Sequence, residues 1–301
     1  MDEKIRGRLL DFNKFWKQPL ELDYIGRDVY SDILPLVSSR QMISLCGLRR
    51  TGKTTLLFKV ISELLKTHAA SDILYFSFDD FQKEPSEIIS EFVEIHGKEP
   101  KFVFFDEVQK IPGWSEKIKL LYDFNKYKIF LSGSESLFLK KGSTESLAGR
   151  IYEFEVTKLS FREYLKFIGK ENYVVKPKLY EKEIERELHN YILSAGFPEL
   201  INEKNPELVK KYVSSIVDKI IFIDMPKLFK IDDPSKVKAV LEIITENPGM
   251  IVDIHSLSQE IGVFRHTLSK YLEYLEAAHL VVKLYNFSRN KSTSEKKLKK
   301  F

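Results

Sequence analysis

The chain has 301 residues, 43% hydrophobic and 31% charged, with a formal net charge of +4 at pH 7. That length favours two or three domains with ample core. No apolar run is long enough to cross a membrane, and the charged start Met1–Arg6 lacks the apolar segment of a signal peptide. The single cysteine, Cys46, excludes an intramolecular disulfide and a cysteine-built zinc site. These features predict a cytoplasmic protein with no membrane partner.

The positive charge is concentrated at one place. Between Ser288 and Phe301 there are six basic residues and one glutamate, which leaves the rest of the chain with a net charge of about −1. The body is therefore not a generally basic surface for nucleic acid, and any such affinity has to come from local patches.

The first predicted elements are a strand at Met42–Cys46, a turn and a helix at Thr55–Lys66. The turn fits the phosphate-loop pattern G-x-x-x-x-G-K-[ST]. Its backbone N–H groups and the helix start favour an anion. Lys53 is expected to reach the β- and γ-phosphates of ATP or ADP, and the Thr54 hydroxyl to bind Mg²⁺. The predicted nucleotide-binding residues here are Gly47, Leu48, Arg49, Arg50, Thr51, Gly52, Lys53, Thr54 and Thr55.

A second strand is predicted at Asp72–Phe78, followed by the acidic pair Asp79 and Asp80 and a helix at Pro85–Ile95. Arg49 and Arg50 of the phosphate loop are expected to lie near phosphate. Their side chains have an alternative role, which is contact with a partner or with the Asp79-Asp80 pair.

The next strand, Lys101–Phe105, is nearly all apolar and ends in Asp106-Glu107, a Walker B pattern. Such a run suits a central parallel strand buried on both faces. Asp106 is predicted to hold magnesium, and Glu107 to orient or deprotonate the attacking water. The alternative is that the two carboxylates merely end a strand in solvent.

A further strand, Tyr127–Leu131, is predicted to lie between the strands that carry the two Walker motifs. Ser132 and Ser134 follow it, and either one is a candidate sensor of the γ-phosphate. A serine-rich turn without a catalytic role is the alternative.

A short helix is predicted at Thr144–Ala148, ahead of a last core strand at Ile151–Val156. Arg150, between them, is a candidate to stabilise transition-state charge on a γ-phosphate, typically that of a neighbouring subunit in a homo-oligomer. Alternatively it interacts with the dipole of the helix end.

Five segments together resemble the archaeal and bacterial ATPases of the AAA+ superfamily, and the resemblance covers nearly the whole chain. The segments are Gly47–Leu57, Phe105–Trp114, Leu131–Ser134, Leu147–Arg150 and Leu159–Leu165, with further similarity at Tyr24–Arg27 and Gly196–Glu199.

The resemblance implies an α/β fold, with a P-loop parallel-sheet core, an α-helical lid and a C-terminal winged-helix domain. It also makes Ile25, Arg27 and Pro198 candidate contacts for the adenine base. Many relatives continue into a nuclease-like domain. This chain stops at Phe301, where that domain would begin, and either a naturally short member or a shortened chain fits this.

The predicted domains are 1–157 for the ATPase core, 158–232 for the lid and 233–301 for the winged helix with its basic tail. In the last domain, helices are predicted at Pro234–Glu246, Ser256–Ile261 and Phe264–Ala277, with strands at Ile251–Ile254 and Leu280–Phe287. The third helix matches a recognition helix. The candidate DNA contacts are Arg265, His266, Ser269, Lys270, Arg289 and Lys291.

Two alternatives to duplex DNA stay open for this domain: contact with a protein partner and a purely structural role. The sequence as a whole predicts a Mg²⁺-dependent ATPase that couples hydrolysis to movement of the lid and winged helix. The alternative is a slow nucleotide switch that docks a protein partner through the winged helix.

Overall fold

The computed structural model describes residues 2–79, 81–124, 127–133 and 147–284. The chain divides into two compact units, Met1–Val209 and Lys210–Phe301, called here the first and second units. The three-domain division drawn from the sequence stays a prediction.

The first unit is built on a five-stranded sheet with the order β2-β3-β4-β1-β5. All neighbouring strands run parallel. This confirms the predicted α/β class and the position of β4 between the strands that lead into the two Walker motifs. The strands are β1 Met42–Cys46, β2 Ile73–Ser77, β3 Phe102–Asp106, β4 Lys128–Ser132 and β5 Ile151–Glu155.

The central strands are buried on both faces, as the apolar run in β3 predicts. Successive residues point to opposite faces of a strand, so Phe104 packs in one cluster and Phe105 in the other. Phe104 stacks on Phe130 of β4, with ring centroids 4.4 Å apart. Helices cover both faces, which leaves the carboxyl edge of the strands as the place where polar groups can gather.

The helices of the first unit follow the predicted apolar spacing. The helix after the phosphate loop buries Leu56, Leu57, Val60, Ile61 and Leu64, and Pro85 occupies the first turn of its helix as predicted. The helices of the first unit are α1 Glu3–Phe12, α2 Val29–Ile33, α3 Lys53–Leu64, α4 Pro85–His96, α5 Trp114–Phe124, α6 Phe161–Phe167, α7 Asn172–Val175 and α8 Glu181–Leu193. The next helix, α9 Pro206–Lys219, begins in the first unit and ends in the second.

The helix predicted at Thr144–Ala148 lies partly outside the described residues. Its described end is a turn, in which the Arg150 backbone N–H donates to the Leu147 carbonyl at 3.0 Å.

The second unit contains a π-helix, Ile220–Asp224, and the helices α10 Met225–Leu228, α11 Pro234–Glu246, α12 Ile254–Ile261 and α13 Arg265–Ala277. The last three match the three helices expected of a winged helix.

The strand predicted at Ile251–Ile254 is wrong: only Ile251 makes a bridge, and a helix begins at Ile254. The reason is the cap. The Asp253 carboxylate accepts from the backbone N–H groups of His255 at 2.7 Å and Ser256 at 3.2 Å, which starts the helix earlier. The last predicted strand lies partly outside the described residues, so the winged helix stays a prediction.

Candidate functional site

The phosphate loop, Gly47–Thr54, joins β1 to α3 at the carboxyl edge of the sheet. Two of its positions require glycine. Gly47 has φ +134°, and a Cβ there would lie 2.5 Å from the Val156 carbonyl oxygen. Gly52, at the start of α3, has φ +94°. The loop can therefore curl against the end of β5 only with glycine at its first position.

Lys53 is buried at the base of the loop. Its Nζ donates to the carbonyl oxygens of Gly47 at 3.1 Å and Leu48 at 2.8 Å. Burial lowers the pKa of Lys53, while the carboxylates of Glu107 and Asp106 act in the opposite direction. The Lys53 amino group thus lies against the loop and within electrostatic reach of Asp106 and Glu107, and it can transfer its hydrogen bonds to a phosphate.

Asp106, the last residue of β3, accepts hydrogen bonds from three hydroxyl groups. Its Oδ2 receives the Thr54 hydroxyl at 2.7 Å and the Tyr75 hydroxyl at 2.9 Å. Its Oδ1 receives the Ser132 hydroxyl. Thr54 is expected at this site from the phosphate-loop motif. Tyr75 is not part of any motif, and it reaches Asp106 from the neighbouring strand β2.

These oxygens suit magnesium. Mg²⁺ prefers hard oxygen ligands and is commonly held by one or two carboxylates together with substrate phosphates. Among the described residues no group of three or more His, Cys, Asp or Glu side chains could hold a metal ion by itself. Thr54 and Asp106 carry oxygens that could share such an ion with a nucleotide.

Glu107 follows Asp106 in a left-handed conformation, with φ +57°. Such a backbone is uncommon outside glycine and is concentrated at functional sites. Its carboxylate accepts a hydrogen bond from the Gln109 side chain, and its backbone N–H donates to the Ser132 hydroxyl at 3.4 Å. Gln109 is a contact that the sequence analysis did not anticipate.

Of the two candidate sensors, Ser132 ends β4 and is fully buried beside Asp106. Ser134 lies outside the described residues, so the choice between them stays open.

The three predicted base contacts, Ile25, Arg27 and Pro198, line one cleft of about 270 Å³. Gly52 of the phosphate loop and Thr55 of α3 lie on the same cleft, so the cleft adjoins the loop expected to bind phosphate. The remaining wall consists of Asp23, Tyr24, Phe167, Ile201 and Asn202.

Arg50, the non-glycine loop residue with φ +62°, pairs with Glu199 at 2.7 Å, and both side chains are about half exposed. Of the acidic pair named as an alternative partner, Asp79 pairs with Lys110 at 3.3 Å, and Asp80 lies outside the described residues. Arg49 lies close enough to Lys53 to contribute to lowering its pKa.

Arg150 lies far from the phosphate loop of its own chain. Its guanidinium binds Asp123, with an Nε–Oδ1 distance of 2.9 Å, and this hydrogen bond raises the pKa of Arg150. It precedes β5, so it lies at the amino edge of the sheet, about 16 Å from the loop for a five-residue strand. A role on a γ-phosphate would need a second chain, and that role stays a prediction.

In the second unit, Arg265, His266 and Lys270 are exposed on α13, and Ser269 is half-buried. An adjoining cavity of about 460 Å³ is lined in part by Asp232 and Asp233, whose negative charge opposes phosphate. Arg289 and Lys291 lie outside the described residues.

Comparison with known proteins gives the class. Residues 39–165 match a family model described as an AAA domain, and residues 185–301 match one described as a domain of unknown function. Together with the phosphate loop and the strand order, the match confirms the resemblance found in the sequence. Within residues 39–165 the chain is thus similar to AAA-type P-loop ATPase domains.

Its curated relatives are uncharacterised. A protein of Methanocaldococcus jannaschii is 30% identical over 91% of this chain and 62% of its own length. A protein of Haemophilus influenzae is 28% identical over 79% of this chain and 60% of its own length. The chain thus spans about three fifths of the length of these relatives.

Solved structures give only loose likenesses. The Orc1 protein of Aeropyrum pernix in complex with DNA is 12% identical, covers 90% of this chain and 86% of its own, and has a TM-score of 0.37. The S. cerevisiae Hsp104–ADP complex is 13% identical, covers 92% and 41%, and has a TM-score of 0.46. Separately, none of the helices in the described part of this chain has the length and apolarity needed to cross a bilayer.

Proposed function

We propose that this protein binds ATP with Mg²⁺ at the phosphate loop and hydrolyses it to ADP and phosphate. The observation that carries this proposal is the 2.7 Å hydrogen bond between Thr54 and Asp106. It brings the hydroxyl that ends the phosphate loop onto the carboxylate that ends β3, although 52 residues separate them in the chain.

Each residue has a distinct role in the proposed reaction. The loop N–H groups and Lys53 bind the β- and γ-phosphates, and Thr54 with Asp106 would hold Mg²⁺. When bound, Mg²⁺ neutralises charge on the phosphate oxygens. Glu107 orients the attacking water and accepts its proton, and Ser132 or Ser134 senses the γ-phosphate.

The adenine base is proposed to occupy the cleft lined by Ile25, Arg27 and Pro198, because that cleft adjoins Gly52 and Thr55. Apolar walls with a few polar groups are typical of such sites.

We further propose that hydrolysis moves the helical region after β5 and the C-terminal helices, and that the latter contact duplex DNA or a protein partner. The exposed Arg265, His266 and Lys270 support DNA contact. Asp232 and Asp233, which line a cavity together with Thr267 and Tyr271 of α13, favour a basic protein surface instead. A homo-oligomer, with Arg150 completing a neighbour's site, belongs to the same proposal.

One observation favours the slow nucleotide switch as a second candidate. The Glu107 carboxylate accepts a hydrogen bond from Gln109 at Oε2, so one of its two oxygens is occupied and its orientation is fixed by a neighbouring side chain rather than by a water. A protein that keeps this contact would hold nucleotide and turn it over slowly.

The test is phosphate release from ATP and Mg²⁺, with and without duplex DNA, by wild type and by Gln109→Ala. Turnover that DNA stimulates supports a DNA-coupled ATPase. Tight nucleotide binding with negligible turnover, relieved by Gln109→Ala, supports the switch. Absence of nucleotide binding contradicts both.

A further inference from the structure

Arg27 makes contacts other than those of a base-binding residue. Its side chain borders the cleft, yet the guanidinium is buried, with only 6% of the side chain exposed, and all three nitrogens are used. Nε donates to Glu163 Oε1 at 2.8 Å, Nη1 to the Thr51 carbonyl at 2.7 Å and Nη2 to the Thr157 carbonyl at 2.8 Å. Three of its five N–H donors, at least one on each nitrogen, are therefore committed to protein partners.

The contact with Thr51 acts on the phosphate loop itself. The Thr51 carbonyl and the Gly52 N–H belong to one planar trans peptide unit, so they point in opposite directions. By holding the carbonyl, Arg27 fixes the direction of the Gly52 N–H, one of the donors of the phosphate nest. The Thr51 side chain adds to this, because its hydroxyl donates to the Leu48 carbonyl at 2.9 Å.

Arg27 is in turn fixed by the start of α6. The Glu163 carboxylate also accepts from the backbone N–H groups of Asp28 and Ser160, both at 2.9 Å. The Ser160 hydroxyl accepts from the Glu163 N–H at 3.2 Å, a reciprocal capping box. Burial raises the pKa of Glu163, but the hydrogen bonds from Arg27 and the backbone outweigh it and keep the pKa below its usual value. The pair is therefore charged, buried and held on both sides.

We infer that Arg27 is a positioning residue for the phosphate loop, and that Glu163 links the orientation of that loop to the start of helix α6. The inference rests on the proposed nucleotide site. It assigns to Arg27 a function in phosphate binding rather than base binding, exerted through one peptide group. A displacement of α6 would then turn the Thr51–Gly52 peptide and change phosphate affinity without touching the adenine cleft.

The test compares dissociation constants for AMP, ADP and ATP with Mg²⁺ in wild type, Arg27→Lys and Glu163→Gln. A lysine provides one point charge and cannot reach Glu163, Thr51 and Thr157 together. We expect both variants to weaken ATP binding by about tenfold or more and AMP binding by no more than about twofold. The loss should thus grow with the number of phosphates, which a general loss of folding would not produce.

Two controls separate this role from the alternatives. Ile25→Ala alters the cleft alone and should weaken AMP and ATP by the same factor. Glu199→Gln removes the carboxylate that pairs with Arg50 of the phosphate loop, and this pair is exposed. Because exposed ion pairs contribute little, the dissociation constants for AMP, ADP and ATP should stay within about twofold of wild type. The fluorescence of Trp16 and Trp114 in the first unit confirms folding of each variant.

The outcomes are distinct. Equal losses for AMP and ATP in Glu163→Gln and Arg27→Lys would overturn the inference and return Arg27 to the base. Unchanged affinities in both variants would overturn it as well. A wild-type protein that binds none of the three nucleotides would instead refute the proposed function.

Discussion

Tyr75 offers the sharpest test of the network around Asp106. Tyr75→Phe removes only the hydroxyl that donates to Asp106 Oδ2 at 2.9 Å. The ring, 4% exposed, keeps its packing against Phe12 and Phe58. A hydrogen bond to a charged group contributes about 1.5–3 kcal/mol. Because Thr54 still donates to the same oxygen, we expect the lower part of that range, a loss of about 1.5–2 kcal/mol in the free energy of unfolding.

The assay is urea unfolding followed by tryptophan fluorescence. The chain has two tryptophans, Trp16 and Trp114, and both lie in the first unit, so the signal reports on the sheet that carries Asp106. Tyr127→Phe is the matched control, since its hydroxyl donates to a carboxylate, Glu99, in an exposed position. Water replaces such a partner at little cost. Equal urea midpoints for wild type and Tyr75→Phe, or equal losses of unfolding free energy in Tyr75→Phe and Tyr127→Phe, would show that the Tyr75–Asp106 hydrogen bond does not stabilise the first unit as expected.

Three further predictions concern Lys53 and Gly47 of the phosphate loop and the buried Lys128 of β4. Lys53→Ala should abolish nucleotide binding, measured by calorimetry, and retained affinity would contradict its role. Gly47→Ala places a Cβ 2.5 Å from the Val156 carbonyl oxygen and should lower the free energy of unfolding of the first unit by about 1–3 kcal/mol through backbone strain. A urea midpoint equal to that of wild type would contradict this. Burial lowers the pKa of Lys128 to about 8, so between about pH 8 and 10.4 the unfolded chain binds more protons and stability rises with pH. Urea unfolding should show that rise relative to Lys128→Met, and parallel pH profiles would contradict it.

Local patterns predicted most of the core. The alternation of apolar strands with helices, and the loop Gly47–Thr54, define a parallel sheet whose carboxyl edge gathers Thr54 and Asp106. Here sequence spacing and physical constraint coincide, because the loop needs glycine where φ is positive and the helix buries one apolar face.

Long-range contacts were out of reach of the sequence analysis. Tyr75 and Glu163 touch site residues only because strands and helices distant in sequence pack together, whereas Gln109 reaches Glu107 within the turn that follows β3. Tyr75 and Glu163 carry no motif of their own as site residues. The S-x-x-E spacing at Ser160–Glu163 signals a capping box, but not the partner that its carboxylate binds. The register between β2 and β3 decides the contact of Tyr75 with Asp106, and the packing of the start of α6 against the chain around Arg27 decides that of Glu163.

The C-terminal helices show where propensity misleads. The apolar residues around Ile251–Ile254 favour a strand by composition, but the Asp253 carboxylate accepts hydrogen bonds from the backbone N–H groups of His255 and Ser256 and starts a helix at Ile254 instead. Arg27 stays a candidate base contact by resemblance, and the structure adds hydrogen bonds from its guanidinium to Glu163 and to the Thr51 carbonyl that no local pattern indicates.

The central claim is hydrolysis of ATP at the site formed by the phosphate loop and Asp106-Glu107. The most direct measurement is phosphate release with Mg²⁺ by wild type and Glu107→Gln, with ATP affinity determined for both. We expect wild-type turnover that Glu107→Gln abolishes while ATP affinity stays within about threefold, since Glu107 acts on the water rather than on the bound nucleotide. Hydrolysis by Glu107→Gln at the wild-type rate would contradict the account.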